Sequence, residues 1–477
     1  MMKGEGRMDF LSTLIDYGNT FFWDYILIYL LIGAGLYFTF FSKFAQFRLF
    51  PEMFKVITEE AVEQSGKRGT NAFQAFSISI ASRVGTGNLA GVALAVAIGG
   101  PGAVFWMWLI ALIGMATAFI ESTLAQVYKV PDKDGFRGGP AYYIEKALGQ
   151  RWMAVLFSVL ITITFGLVFN AVQANTISEA VEKAFNIEHY VTGIILVVLA
   201  GIIIFGGIKR IAIVSGTIVP IMALIYIVVS LIVVVMNISE VPRIFGMIFS
   251  HAFGLEQFVG GGVGAALMQG IKRGLFSNEA GMGSAPNAAA TAGVSHPAKQ
   301  GLVQSLAVFV DTIVVCSFTA FIILLYNDFA SHTEDGIQLT QTALSEQIGD
   351  WATIFLAVTI FLFAFSSVIG NYYYGESNID FLKNSKTWRN IYRIFVLGMV
   401  MFGSMATIDI VWNMADLFMA MMAIVNLVAI LLLSKIAFAI LSDYMKQRKE
   451  GKDPSFHVDN VPGLKNVEWW GAQDREK

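Results

Sequence analysis

Two apolar stretches carry residues that a lipid-facing helix would exclude. The first, Phe76 to Ala97, is interrupted by Ser82-Arg83-Val84-Gly85-Thr86-Gly87-Asn88. The second, Phe258 to Ala292, is interrupted by Gln269-Gly270-Ile271-Lys272-Arg273-Gly274. Irregular backbone at membrane depth survives only inside a bundle or beside a cavity, because lipid offers no hydrogen bonds. Gly85, Thr86 and Gly87 tolerate non-helical backbone better than bulky residues do. A half-helix beginning near Gly87 aims its positive dipole end at the gap, which suits a carboxylate. A half-helix ending near Val84 leaves bare carbonyls, which suit a cation such as Na⁺. Asn88 can donate to a substrate or lend its carbonyl oxygen to an ion. The competing reading is that Gly87 and Gly91 form a GxxxG packing face. Packing alone needs neither Arg83 nor Asn88.

Other residues add to this chemistry. Lys272 and Arg273 sit mid-span, where each charge costs about 2.5–3.5 kcal/mol. They demand partners or water, and Glu279, Asp311 and Glu121 are the candidate partners. These charges form a buried ion network or an inner-gate latch without touching substrate, or else part of the site. Adjacent hydroxyls at Ser366 and Ser367, after Phe363-Ala364-Phe365, give hard oxygen donors of the kind sodium prefers. Alternatively, a serine in a membrane helix bonds its own i−4 carbonyl.

The surrounding elements must hold these residues at membrane depth. Of 477 residues, 56% are hydrophobic and only 14% charged. Soluble domains carry about 25% charged residues, so the chain reads as an all-α polytopic membrane protein. A net charge of −3 gives no argument for nucleic acid. The single cysteine, Cys316, excludes an intrachain disulfide or a thiolate cluster. The five histidines fall in polar connections or just outside apolar runs, which argues against haem or zinc in the bundle. Lys3 to Asp9 lacks a secretory pattern.

About eleven spans follow from the roughly 20-residue requirement of the bilayer: 21–42, 71–98, 102–128, 153–175, 190–206, 212–236, 257–292, 301–326, 352–375, 390–408 and 412–443. Ala141 to Ala147 is expected along the membrane surface, and Leu339 to Ile348 is a second short helix. With the N-terminus outside, 24 of the 32 Lys and Arg residues fall in inside segments and four in outside segments, as cytoplasmic loops require. The other four are Arg83, Lys272, Arg273 and Lys435, the last able to snorkel to the inner face. Residues 1–70 then form an N-terminal segment with one extra span and a cytoplasmic loop. Residues 71–237 and 256–444 form two five-helix sets. An odd number of spans per set inverts the second, and each opens with its interrupted segment. Residues 445–477 read as a cytoplasmic polar tail without a core of its own.

The runs Ser82-Arg83-Val84-Gly85-Thr86-Gly87-Asn88-Leu89-Ala90-Gly91 and Lys272-Arg273-Gly274-Leu275-Phe276-Ser277-Asn278-Glu279-Ala280-Gly281-Met282-Gly283-Ser284-Ala285-Pro286-Asn287-Ala288 closely resemble the alanine or glycine:cation symporter family, as does Phe309-Val310-Asp311-Thr312. The resemblance runs from about Asn71 to Tyr444. It implies a LeuT-like 5+5 inverted repeat preceded by one extra helix, and Na⁺-coupled uptake of alanine or glycine by alternating access. It further implies a sodium site built from backbone carbonyls near Ala81 and Val84, the Phe363 carbonyl, and the Ser366 and Ser367 hydroxyls. Gly85, Thr86, Gly87 and Asn88 then match the unwound helix that binds the substrate carboxylate. Gln269 and Gly270 are expected to contact substrate from the second broken helix. Arg83 departs from the small apolar residue usual in the wider fold, which weakens the case for a second sodium site using its carbonyl. Phe73, Phe76, Trp106, Phe169 and Phe365 are the bulky residues expected to restrict the pocket to small side chains.

A proton-coupled version would use Asp311 or Glu279 as carrier. No HExxH, GxSxG or intramembrane histidine supports an enzyme, and no GxxxxGK[ST] run supports an ATP-driven pump. A channel or receptor would not require two broken helices. The expected protein is a monomer in the plasma (inner) membrane, with its C-terminus cytoplasmic, lipid as its surroundings and no organic cofactor.

Overall fold

The computed structural model describes residues 12–64, 67–132, 135–206, 208–255, 262–326, 328–329 and 334–471, without the side chains of 63–64, 67–68 and 208–219. Lys3, Arg7, Lys67, Arg68, Lys133, Lys209, Arg210, Arg475 and Lys477, used in the charge count above, therefore lie outside the described side chains, as do residues 257–261 of the seventh expected span.

Helix α1 (Ser12–Phe41) stands before the two five-helix sets. The first set comprises the broken pair α2 (Ala72–Arg83) and α3 (Gly87–Gly99), then α4 (Gly102–Val127), α6 (Arg151–Phe185), α7 (His189–Gly206) and α8 (Ile208–Met236). Between α4 and α6 lies the short α5 (Pro140–Leu148), at the place expected for a surface helix. A helix not anticipated from the sequence, α9 (Val241–Ala252), links the sets. The second set comprises α10 (Val263–Asn278) with α11 (Ala285–Ala289), then α12 (Pro297–Leu325), α14 (Trp351–Leu382), α15 (Lys386–Met405) and α16 (Ile408–Lys449), with α13 (Gly336–Ile348) inserted before α14. Seven helices are each long and apolar enough to cross a membrane, and two bent pairs raise this to as many as nine, among the described residues.

Local chemistry explains several boundaries. Asn71 caps α2 by accepting from the Gln74 N–H at 2.7 Å, while Gln74 Oε1 accepts from the Asn71 N–H at 3.0 Å, a reciprocal capping box. Pro140 and Pro297 occupy first turns, where their missing N–H is harmless. The α9 helix puts Phe245 and Phe249 against Trp108 and Phe105 of α4. Its amphipathic pattern was hidden in a polar connection.

At one end of the bundle the two broken helices are stitched together by backbone. The Thr70 N–H donates to Thr291 O at 3.1 Å, and the Gly293 N–H donates to Thr70 O at 2.8 Å. Thr70 precedes α2 and Thr291 follows α11, so the start of the first broken helix meets the end of the second. The stretch after α16 closes over this end. Phe456, Val458, Trp469 and Trp470 are buried, and Trp470 Nε1 donates to Gln126 O at 2.8 Å. The expected tail is polar in composition, yet it docks through these apolar residues on the body of the bundle.

Candidate functional site

The first interruption is where the sequence places it. Helix α2 ends at Arg83, Val84 is extended (φ −72°, ψ 100°), and α3 resumes at a π-type turn, Gly87–Gly91. The two pieces diverge by 53°. The Asn88 N–H reaches back only to Gly85 O, at 3.3 Å, so it does not close the helical bond to Val84. Asn88 Oδ1 in turn accepts from the Gly85 N–H at 2.9 Å. Gly85 is required here for close approach, since a β-carbon on it would lie 2.7 Å from Ser367 Oγ and 3.2 Å from Gln173 Oε1.

The second break is not at Gln269–Gly274, contrary to the sequence expectation. That run is continuous helix within α10. The chain breaks at Glu279–Ser284, where Glu279 (φ +58°), Gly281 (φ +92°) and Gly283 (φ +85°) take left-handed conformations. Gly270 and Gly274 are packing residues: a β-carbon on Gly270 would lie 2.4 Å from Ala103 O. Gln269 accepts from Arg273 Nε at 3.4 Å. Both Gln269 and Gly270 thus sit more than two turns from the break they were expected to line. Gly270→Ala is expected to overpack the α10–α4 contact by about 1–3 kcal/mol. It should lower the thermal midpoint while leaving half-saturating substrate and ion concentrations unchanged in uptake assays.

Beside the first break, oxygen atoms from two helices converge. Ser366 Oγ donates to Phe363 O at 2.7 Å and reaches Ala81 O at 3.5 Å. Ser367 Oγ lies 3.2 Å from Ala81 O, 3.2 Å from Ser82 O and 3.1 Å from Phe363 O. Two hydroxyls and three carbonyls therefore share one small volume, and both serines are buried. This is a hard-oxygen donor set for an alkali cation. The Ser82 carbonyl joins the expected group. Among the described residues no hydrogen bond ties Val84 to it.

A second oxygen group surrounds Asp311. Its carboxylate accepts from Asn88 Nδ2 at 2.7 Å, Ser277 Oγ at 2.7 Å and Thr312 Oγ1 at 2.8 Å. Asn88 is therefore held by protein on both ends of its amide, linking the first break to Asp311 instead of pointing free into a gap.

Lys272 and Arg273 do not pair with Glu279, Asp311 or Glu121. Arg273 Nη2 lies 2.7 Å from Asp416 Oδ2, and Lys272 Nζ lies 3.6 Å from the same oxygen. Arg273 also covers the Trp412 ring at 4.6 Å, and Lys272 faces Trp23 of α1 at 5.2 Å. The Trp23 indole donates to Asp416 O at 3.1 Å. Sequence reasoning missed Asp416 and Trp412. Their i,i+4 spacing at the start of an apolar helix was the available signal.

The other charges form a separate group. Glu279 accepts from Ser82 Oγ at 3.1 Å and Ser284 Oγ at 2.5 Å. Glu121 accepts from the Gly281 N–H at 3.2 Å and Asn426 Nδ2 at 2.9 Å, pinning the second break. Arg83 donates to Gln304 O at 3.4 Å, whereas its Nε and Nη2 are buried without a partner. Asn278, Gln304 and Asn371 also keep unpartnered buried amide atoms. Such atoms require water or a passing polar solute.

Between these groups, side chains of α6, α10 and α16 close around the first break and are buried there. Thr86 Oγ1 donates to Gln173 Oε1 at 2.7 Å, and the Thr86 N–H lies 3.3 Å from the same oxygen. Phe169, Phe276 and Trp412 follow one another in tilted contact, at centroid spacings of 4.6 and 4.7 Å. A β-carbon on Gly87 would stand 3.0 Å from the Phe276 ring. Phe169 was expected here. Phe73 instead lies half exposed, and Trp106 packs against Phe105 and Phe253.

Residues 8–458 match the sequence model described as the Sodium:alanine symporter family. The chain is 58% identical over 467 residues to "Amino-acid carrier protein AlsT" of Bacillus subtilis (strain 168), covering 98% of this chain and 99% of that one. It is 53% identical over 464 residues to "Probable sodium/glutamine symporter GlnT" of the same organism, covering 97% of each. The structure resembles that of MhsT in complex with L-phenylalanine, with a TM-score of 0.51 at 12% identity, over 84% of this chain and 95% of that one. At that identity the likeness shows the fold alone, which is LeuT-like.

Proposed function

Because the chain belongs to the sodium:alanine symporter family, and so is a multi-pass secondary transporter and not an enzyme, we propose that it imports alanine or glycine together with Na⁺ by alternating access. The carrying observation is the meeting of Ala81 O, Ser82 O, Phe363 O and the Ser366 and Ser367 hydroxyls beside a broken helix. Sodium held there would bridge α2 and α14. It would fix the angle of the break, and with it the amino-acid pocket.

The amino acid's carboxylate docks at the N-terminal turn of α3, where the Thr86 N–H is held only loosely by Gln173. Its ammonium faces the C-terminal carbonyls of α10 at the second break. Phe169, Phe276 and Trp412 border the amino acid's side chain in this reading, and steric clash with these rings excludes bulky ones. The N-terminus outside and the C-terminus cytoplasmic is the orientation that the Lys and Arg distribution supports. Arg273–Asp416 then lies on the outer side of the pocket and the Thr70–Thr291 stitch on the inner side. Each must open in turn for transport. An inside-negative potential adds about 2.3 kcal/mol per sodium charge per 100 mV to accumulation.

The test is radiolabelled alanine flux into proteoliposomes. Uptake is expected to require an inward sodium gradient, and unlabelled glycine should compete better than glutamine. Uptake driven by a pH gradient in sodium-free buffer would replace Na⁺ by H⁺. Stronger competition by glutamine would overturn the small-substrate assignment.

A further inference from the structure

We propose that the cleft between α1 and α16, at the end of the bundle assigned above to the cytoplasm, is a binding site for one anionic phospholipid. The cleft encloses about 590 Å³. Its polar wall carries Lys43, Arg48, Lys446 and Lys449, with Glu450 as its one carboxylate. Glu450 is already bound to Lys452 at 2.7 Å. Neighbouring cations are neutralised: Arg448 pairs with Glu52 at 2.8 Å, and Lys299 with Glu59 at 2.7 Å. Among the described residues, the four cations of the cleft make no ion pair with a carboxylate. Four like charges around one hollow repel each other unless an anion sits between them. A phosphate diester supplies that charge and several acceptor oxygens.

The opposite wall is apolar. Phe41 stacks on Phe438 at 5.9 Å, and Leu441 and Met445 continue this surface. A free phosphate has no use for such a wall, whereas an acyl chain does. Nearby, Phe40, Phe44, Phe47 and Phe54 are each more than two-fifths exposed. Exposed phenylalanine rings at a helix end offer apolar surface to the acyl boundary of a bilayer. Basic pockets between membrane helices on the cytoplasmic side are a known way of holding anionic headgroups. The chain also makes a tight left-handed turn at Lys43 and Phe44 (φ +58° and +57°), an uncommon conformation for bulky residues. That turn sets Lys43 at the lip of the cleft, so the cation and the aromatic wall belong to one feature.

The naming of the leaflet rests on the orientation proposed above, but the binding does not. The experiment therefore uses purified full-length protein in detergent, where sidedness plays no part, with lipid binding read by native mass spectrometry. Three probes are compared: phosphatidylglycerol, phosphatidylcholine with the same acyl chains, and inorganic phosphate. The wild-type protein is expected to retain phosphatidylglycerol in preference to phosphatidylcholine. Each cation removed should weaken that binding about fivefold. Lys43→Gln with Lys446→Gln, and separately Arg48→Gln with Lys449→Gln, should each lose about 25-fold. Lys383→Gln with Lys386→Gln, elsewhere on the same end, should change nothing. Equal retention of both lipids, unchanged binding in both double variants, or displacement of the lipid by millimolar inorganic phosphate would each overturn the proposal.

Discussion

Asp416→Asn is expected to cost about 3–5 kcal/mol of folded-state stability and to reduce sodium-driven uptake at least tenfold. The carboxylate receives Arg273 at 2.7 Å and Lys272 at 3.6 Å, and the Asp416 and Arg273 side chains are nearly inaccessible. Removing one member of a buried pair leaves an uncompensated charge in a medium that cannot solvate it. Cation–π contact with Trp412 and Trp23 recovers only part of that loss. Replacing both partners with apolar residues of similar size separates a structural role from a gating one. Arg273→Met with Asp416→Leu should regain most of the stability. Uptake should stay low, because the pair is expected to alternate between made and broken during transport. The two readings come from thermal unfolding in detergent and from proteoliposome flux on the same preparation. Recovery of flux along with stability would make the pair a static clamp.

The same pair shows what the sequence could and could not reveal. Mid-span cations at 272 and 273 announced that partners must exist, since lipid does not tolerate bare charge. Which carboxylate answers them is a matter of tertiary packing across 143 residues of chain, and no local pattern encodes that. Gly270 and Gly274 misled for a related reason. Glycine beside charge looks like a break, yet here it lets α10 approach α4 closely. The true break needed Glu279, Gly281 and Gly283 to adopt positive φ. The run containing them stood out only through its family resemblance. By contrast, Gly85–Asn88 and Ser366–Ser367 were legible because each is a polar group in an otherwise apolar segment, which burial in lipid must justify. The starts of α2 and of the surface helix α5 were recovered to within a residue, where Asn71 caps the one and Pro140 opens the other. The α9 helix was missed because it is too short and amphipathic to register as a span.

Removing both hydroxyls, with Ser366→Ala and Ser367→Ala together, is expected to raise the Na⁺ concentration for half-maximal uptake about 100-fold or more. Interactions of a polar ligand with a charged group are worth roughly 1.5–3 kcal/mol each, and every 1.4 kcal/mol is about tenfold. Two of the five clustered oxygens would go, while the carbonyls of Ala81, Ser82 and Phe363 stay in place. The helix itself should hardly notice. Both hydroxyls bond the Phe363 carbonyl of their own preceding turn, an arrangement that is neutral to slightly unfavourable for helix stability. The discriminating comparison is therefore thermal stability with and without sodium. Wild-type protein should gain stability as sodium rises, by RT ln(1 + [Na⁺]/Kd). The double variant should match it in sodium-free buffer and fail to gain. If both proteins respond to sodium alike, the hydroxyls serve only their own helix, and the cation must bind elsewhere, with the Asp311–Ser277–Thr312 group next in line. Because Gly85 lies against Ser367 Oγ, Gly85→Ala should mimic the ion defect by displacing the hydroxyl. It should also disturb Gln173, so its alanine affinity should fall even at saturating sodium, which the serine variants should not show.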